Sequence, residues 1–294
     1  MREGFQVVGI RQTVDPPVSA SGSRRQGKPV ISVLVLLLLV VGCLTCDIFV
    51  QRDPTYLDLA HSSVAPNREF VFGTDTMGRD IFSMIWYGGR ISLWIGLVST
   101  FIATAMAVVL GAVSGCASRR MDGVIMRAVD ILLSVPSLLV VILLQAVLEK
   151  AGVLSIALVI GVTGWMSMSK VIRTEVRQIR NSGYVTASRC MGGGFFHILW
   201  HHLAPNFISS VMFMVIMSVR TAIVSESTLS FMGIGLPVEM ISWGSMLSLA
   251  EQALAQRAWW MIMIPGIFLV TTLVCLTNLG NYLRRRVNGR HSNL

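Results

Sequence analysis

The sequence predicts an all-α integral membrane protein, a bundle of six transmembrane helices. Only 13% of its 294 residues are charged and 53% are hydrophobic, whereas about a quarter of an ordinary globular domain is charged. Its mean hydropathy is +0.68. The apolar residues gather in six runs, 30–50, 91–117, 128–148, 153–169, 207–225 and 259–280, which meet or approach the roughly 20 residues that cross a bilayer. Backbone polar groups must be paired internally in hydrocarbon, so only helices or closed barrels can span it. Unbroken apolar runs exclude the alternating strands of a barrel.

In chain order, a polar, basic tail (1–29) leads into the first span (30–50), whose apolar run is long for the core of a cleavable signal peptide and reads as a retained anchor. A long external loop, 51–90, follows, with Asp53, Asp58, Glu69, Asp75 and Asp80. Residues 91–280 form a five-helix core with an internal loop at 170–206, and 281–294 is a second basic tail. With the N-terminus inside, 17 of the 24 Lys and Arg residues fall on cytoplasmic segments and six fall outside, while Arg220 lies within a span. Lys and Arg favour the cytoplasmic side, so both termini are expected inside. The net charge of +9 therefore reflects topology rather than nucleic-acid binding.

Within the internal loop, 184–191 and 195–203 read as two short helices around Gly192-Gly193-Gly194. Phe195, Leu199 and Leu203 recur at helical spacing, a stripe that suits either a partner surface or packing against the inner ends of the spans.

No catalytic residues are expected, because no Ser/His/Asp set, carboxylate pair or HExxH motif occurs. Gly22 to Pro29 approaches a Walker A loop, but Pro29 stands where the Mg-binding Ser or Thr belongs and no apolar strand precedes it. The chain is expected to bind no ATP itself and to hold no cofactor. His197, His201 and His202 lack a carboxylate or cysteine at ligand spacing, and the five cysteines show no paired CxxC pattern, so no metal site is expected. Gly111 and Gly115 form a small-xxx-small pair that lets helices approach closely. Asp130, Arg220 and Glu226 are ionisable groups in or at the ends of spans. Such groups are costly in lipid and turn inward, either lining a water-filled path or pairing. Arg220 and Glu226, less than two turns apart, are candidates for both roles.

Four segments then carry a resemblance. Phe72 to Gly96, containing Gly73, Thr74, Asp75, Gly78, Arg79, Asp80 and Arg90, resembles the GTDxxGRDxxSxxxxGxRxSLxxG signature of the permease subunits of bacterial dipeptide/oligopeptide/nickel ABC importers. Asp122 to Leu138, with Arg127, Asp130, Ser134, Pro136 and Ser137, resembles that family's MRxxDxLLSxPS stretch. Ser225 to Leu247, with Glu226, Gly233, Gly235, Pro237, Trp243 and Gly244, is similar to its E(A/S)xLSFLGLGxPxPxxSWGxML segment. The run from Trp259-Trp260 to Arg284 resembles the family's close, with Asn281 in place of the commoner Asp. Tyr184, Ala187, Gly192, Ile198, His202, Leu203, Pro205 and Asn206 match the loop by which such permeases dock on their ATPases. Thr186 stands there where an acidic residue is common, and Ala204 separates the usual Leu-Pro pair.

The resemblance implies a six-helix ABC importer permease of the smaller "C" type, embedded in membrane lipid. It would pair with a second homologous permease, two cytoplasmic ATPase subunits and an extracytoplasmic substrate-binding protein. Peptides are the leading cargo. Nickel or another metal chelate is the alternative, because the motifs are shared. A proton-coupled secondary transporter would instead predict internal repeats and broken helices with buried carboxylates.

Overall fold

The computed structural model describes residues 29–148, 152–183, 185, 204–237, 239–249, 253–254 and 256–291, the backbone alone for 204–210 and 286–291. The helices are α1 (Val30–Leu44), α2 (Cys46–Phe49), α3 (Ile81–Cys116), α4 (Arg119–Leu133), α5 (Ser137–Leu148), α6 (Val153–Arg180), α7 (Ala204–Phe231), α8 (Trp243–Ser248) and α9 (Trp260–His291). No strand occurs among the described residues, only an isolated bridge between Thr74 and Asp80. The protein is an all-helical, multi-pass membrane protein.

Four of these helices, α3, α6, α7 and α9, are long and apolar enough to cross a membrane. The third expected span, 128–148, is not one straight helix: α4 and α5 meet at 84°. Pro136 is the physical cause, since it lacks an N–H for the helix and its ring drives Val135 out of helical conformation. The pair supplies a fifth crossing if it crosses as one. The first expected span, 30–50, is interrupted at Thr45, and α1 with 15 residues is only about 22 Å long.

Two loop boundaries also move. Asp80 caps α3 by accepting a hydrogen bond from Ser83 N at 3.0 Å, so the helix begins ten residues before the apolar run. At the other end, α6 continues through the basic residues to Arg180, and α7 already begins at Ala204. The helical core thus includes 81–90 and 170–180, both read from sequence as loop.

The most extensive helix pairing is α3 with α6. A Cβ on Gly111 would lie 2.7 Å from Ser169 O, and one on Gly115 would lie 2.8 Å from Val176 Cγ1. The small-xxx-small pair is therefore what allows the two backbones to close together. Around that seam lie Ala103, Ala107, Trp165, Ile172 and Val176 with Val129 of α4. A second cluster, with Ile81, Met84, Ile85, Trp243, Met246 and Trp260, closes the opposite end of the bundle. Ile31, Ile48, Phe101, Leu143 and Val270 point outward, as a lipid-facing surface requires.

Candidate functional site

The motif residues fall into three constructions, two toward the start of α3 and one at its end. The first is a cap built by 73–80. Asp75 Oδ2 accepts from Arg79 Nε at 2.6 Å, while Asp75 Oδ1 accepts from the backbone N–H of Met77 at 2.9 Å and of Arg79 at 2.8 Å. This buried i, i+4 pair closes a turn that also needs Gly78, at φ +75°, where a Cβ would lie 1.7 Å from Asp58 O. Thr74 Oγ1 donates to His61 O at 2.5 Å, and Trp260 Nε1 donates to Thr74 O at 3.1 Å, which ties the cap to the start of α9. Nearby, Asp58 Oδ2 and His61 Nδ1 lie 2.7 Å apart, and this contact holds the Asp58 carboxyl below the usual carboxylate range. Arg90 closes the end of α1, donating to Cys43 O at 3.0 Å and Leu44 O at 3.1 Å and pairing with Asp47 Oδ2 at 2.6 Å. These residues shape the end of the bundle at the start of α3 and leave no exposed constellation for chemistry among the described residues.

The second construction surrounds Glu226, whose side chain is fully buried. Its carboxylate accepts from Ser230 Oγ at 2.9 Å, Ser92 Oγ at 3.1 Å and Ser227 Oγ at 3.4 Å. Ser92 Oγ in turn accepts from Trp243 N at 3.3 Å, and Trp243 Nε1 donates to Ile85 O at 2.9 Å. Two family segments distant in sequence thus meet at one carboxylate. The glycines permit the closure by close approach: a Cβ on Gly235 would lie 2.4 Å from Ser230 Oγ, and one on Gly244 would lie 2.5 Å from Ser227 Cα. Gly233, at φ +75°, turns the chain after α7, and Pro237 O accepts from Met240 N at 2.9 Å in the next turn.

Arg220 is not part of this cage. No ion pair joins it to Glu226, and its Nε is enclosed without a hydrogen-bond partner among the described residues. The buried-pair reading of these two residues is therefore corrected. Six residues along a helix turn the side chain to a face about 120° away, so the two cannot share one environment.

The third construction, at the end of α3 and the start of α4, is not legible as a unit in the sequence. Arg173 Nη2 reaches Asp122 Oδ2 at 2.5 Å, Arg177 Nη2 reaches the same oxygen at 2.9 Å, and Ser114 Oγ donates to Asp122 Oδ1 at 2.6 Å. Arg180 Nη1 donates to Cys116 O at 2.7 Å. Three arginines on one face of α6 thereby hold the end of α3 and the start of α4. Their spacing of four and three residues was the available signal; the acid they would find was not. Asp130 pairs with Lys170 at a more exposed position on the same two helices.

Tyr184, Ala187, Gly192, Ile198, His202 and Leu203, which the sequence resemblance matches to an ATPase-docking loop, lie outside the described residues. Pro205 and Asn206 fall in the first turn of α7. The helix that leads into this segment, α6, is the one whose C-terminal end carries the arginine clamp.

Comparison with known proteins places the chain in a family. Residues 107–289 match the model of the family described as binding-protein-dependent transport system inner membrane component. The chain is 35% identical over 254 residues to the oligopeptide transport system permease protein OppC of Bacillus subtilis (strain 168), covering 86% of this chain and 83% of that one. It is 34% identical over 250 residues to the dipeptide transport system permease protein DppC of the same organism, covering 85% and 78%. It is 31% identical over 245 residues to the di/tripeptide transport system permease protein DppC of Pseudomonas aeruginosa (strain UCBPP-PA14), covering 83% and 78%. With a family match over most of its helical core and relatives of this similarity along most of their length, the chain belongs to the binding-protein-dependent transport system inner membrane components.

Proposed function

We propose that this chain is one membrane subunit of an ATP-driven peptide importer, working beside a second homologous permease, two cytoplasmic ATPases and an extracytoplasmic binding protein. One observation carries the reading: relatives named for oligopeptide, dipeptide and di/tripeptide transport match more than four-fifths of the chain. The chain itself performs no hydrolysis and holds no cofactor; ATP binds the partner ATPases. It crosses the cytoplasmic membrane six times with both termini inside, α1–α2 forming the first crossing and the bent pair α4–α5 the third.

The clamp at Asp122 supports the coupling step. ATP moves an alternating-access equilibrium only by binding one state more tightly than the other. The difference has to reach the spans through elements that move together. Segment 184–206, docked on an ATPase, would pull on α6, and Arg173, Arg177 and Arg180 would carry that displacement to α3 and α4.

The test is reconstitution of the complete complex in proteoliposomes, followed by uptake of labelled di- and tripeptides. ATP-dependent peptide uptake is expected. Uptake of a nickel chelate without peptide uptake would overturn the assignment.

A further inference from the structure

Between α3, the α4–α5 elbow, α6 and α7 lies a cavity of about 370 Å³. Its volume is at the small end of the range for ligand sites, about 300–1,000 Å³. Its lining is chemically uniform in one respect: among the described residues, it includes no Asp, Glu, Lys, Arg or His. Hydroxyls from four elements line it, Ser99 of α3, Ser137 of α5, Thr163 and Ser167 of α6, and Ser218, Thr221 and Ser225 of α7. Apolar and thioether groups, among them Met214 and Met217, fill the remainder.

The hydroxyls are of two kinds. Ser99 Oγ donates to Ile95 O at 2.6 Å, Thr163 Oγ1 to Val159 O at 2.9 Å and Thr221 Oγ1 to Met217 O at 3.0 Å, so these three offer only lone pairs. Ser137, Ser167, Ser218 and Ser225 have no hydrogen-bond partner among the described residues and can both donate and accept. A peptide main chain presents N–H donors and C=O acceptors in alternation, whatever its side chains. Hydroxyls satisfy both, and thioethers adapt to apolar side chains of different shape. A charged side chain would find no counter-charge here, and burying it unpaired is costly.

We propose that this pocket, within a single permease subunit, holds an uncharged stretch of the passing peptide. It binds main-chain amides through Ser167, Ser218 and Ser225 and disfavours a charged side chain at that point. The inference rests on the peptide-import reading above. Its position also links it to the clamp, because Leu133, Val135 and Ser137 of the elbow line the pocket and the other end of α4 is held at Asp122. Displacement of α4 by α6 would reshape the pocket, giving strong and weak binding in alternation.

The test places charge in the pocket after the protein has folded. Ser218→Cys is made in a chain lacking the five native cysteines. The complete complex is reconstituted, and the introduced thiol is then modified with a methanethiosulfonate bearing either a sulfonate or a trimethylammonium group. Uptake of Ala-Lys-Ala, Ala-Ala-Ala and Ala-Glu-Ala is compared. The sulfonate is expected to raise the Lys to Glu uptake ratio and the trimethylammonium to lower it, each by about fivefold. Ser167→Asp, on the facing helix, is expected to act like the sulfonate. Unchanged ratios in a complex that still imports Ala-Ala-Ala, or an introduced thiol that does not react, would overturn the pocket alone. A wild-type complex that imports none of the three peptides would overturn the peptide reading and the pocket with it.

Discussion

The Ser92 hydroxyl donates to the Glu226 carboxylate at 3.1 Å and accepts from Trp243 N at 3.3 Å, joining α3, α7 and the start of α8 through one oxygen. Glu226 and Ser92 are 134 residues apart, and both are sealed from solvent. A buried carboxylate is tolerated because Ser92, Ser227 and Ser230 all direct donors at it.

Removing that carboxylate leaves three hydroxyls unpaired in a sealed space. Glu226→Ala is expected to destabilise the subunit by about 3 kcal/mol, and Glu226→Gln by less, because the amide keeps one acceptor. Thermal unfolding of the detergent-purified protein, followed by tryptophan fluorescence, checks both. Equal losses for the two variants would mean that shape rather than hydrogen bonding holds the node.

At the start of α4, Asp122→Asn weakens contacts to two arginines. Arg177 is 38% exposed, so part of its contribution is screened, and a loss of about 2 kcal/mol is expected. Asp130→Asn, at a pair with both side chains more than a third exposed, is expected to cost less than about 1 kcal/mol. The functional signature is separate: the Asp122 variant should keep ATPase activity in the assembled complex while its peptide uptake falls. Parallel loss of both activities would leave Asp122 a purely structural residue.

Arg220 is expected to behave in the opposite way. Since its Nε has no partner to lose among the described residues, Arg220→Met should be neutral or stabilising within about 1 kcal/mol. A loss of about 3–5 kcal/mol, the usual result of breaking a buried pair, would reveal a partner for the guanidinium. Uptake measured on the same variant tells whether the side chain serves the path.

The segment between α2 and α3 should respond to acid through Asp58. Its folded pKa lies below the unfolded value of about 4, so its contribution is complete above about pH 4 and is lost as the pH falls through the folded value. Protection of the Ala60 and His61 amides, taken as exchange relative to an unstructured peptide at the same pH, should therefore fall as the pH drops through the folded value. Asp58→Asn should exchange quickly and without that pH dependence, and a pH dependence that persists in the variant would place the titrating group elsewhere.

The sequence by itself determined the membrane class, the order of the apolar helices and the family. Lipid excludes unpaired backbone and charge so strongly that long apolar runs have few alternatives, and the motif residues were legible as types at fixed spacings. Pro136 was equally visible, but reading 128–148 as one span took its hydropathy and ignored its missing N–H. The starts and ends of α3 and α6 were hidden because capping by Asp80 and the arginine clamp extend those helices past their apolar stretches.

Only the tertiary structure decided which polar groups meet. Arg220 and Glu226 are near in sequence and apart in space, because helix geometry turns them to different faces. Glu226 and Ser92 are remote in sequence and bonded, as are Asp122 and Arg173. Hydropathy places a segment at a depth in the bilayer but says nothing of its rotation about its own axis. That rotation is set by the packing of small residues such as Gly111, Gly115 and Gly244 against neighbouring helices, and it selects the partner of every buried charge.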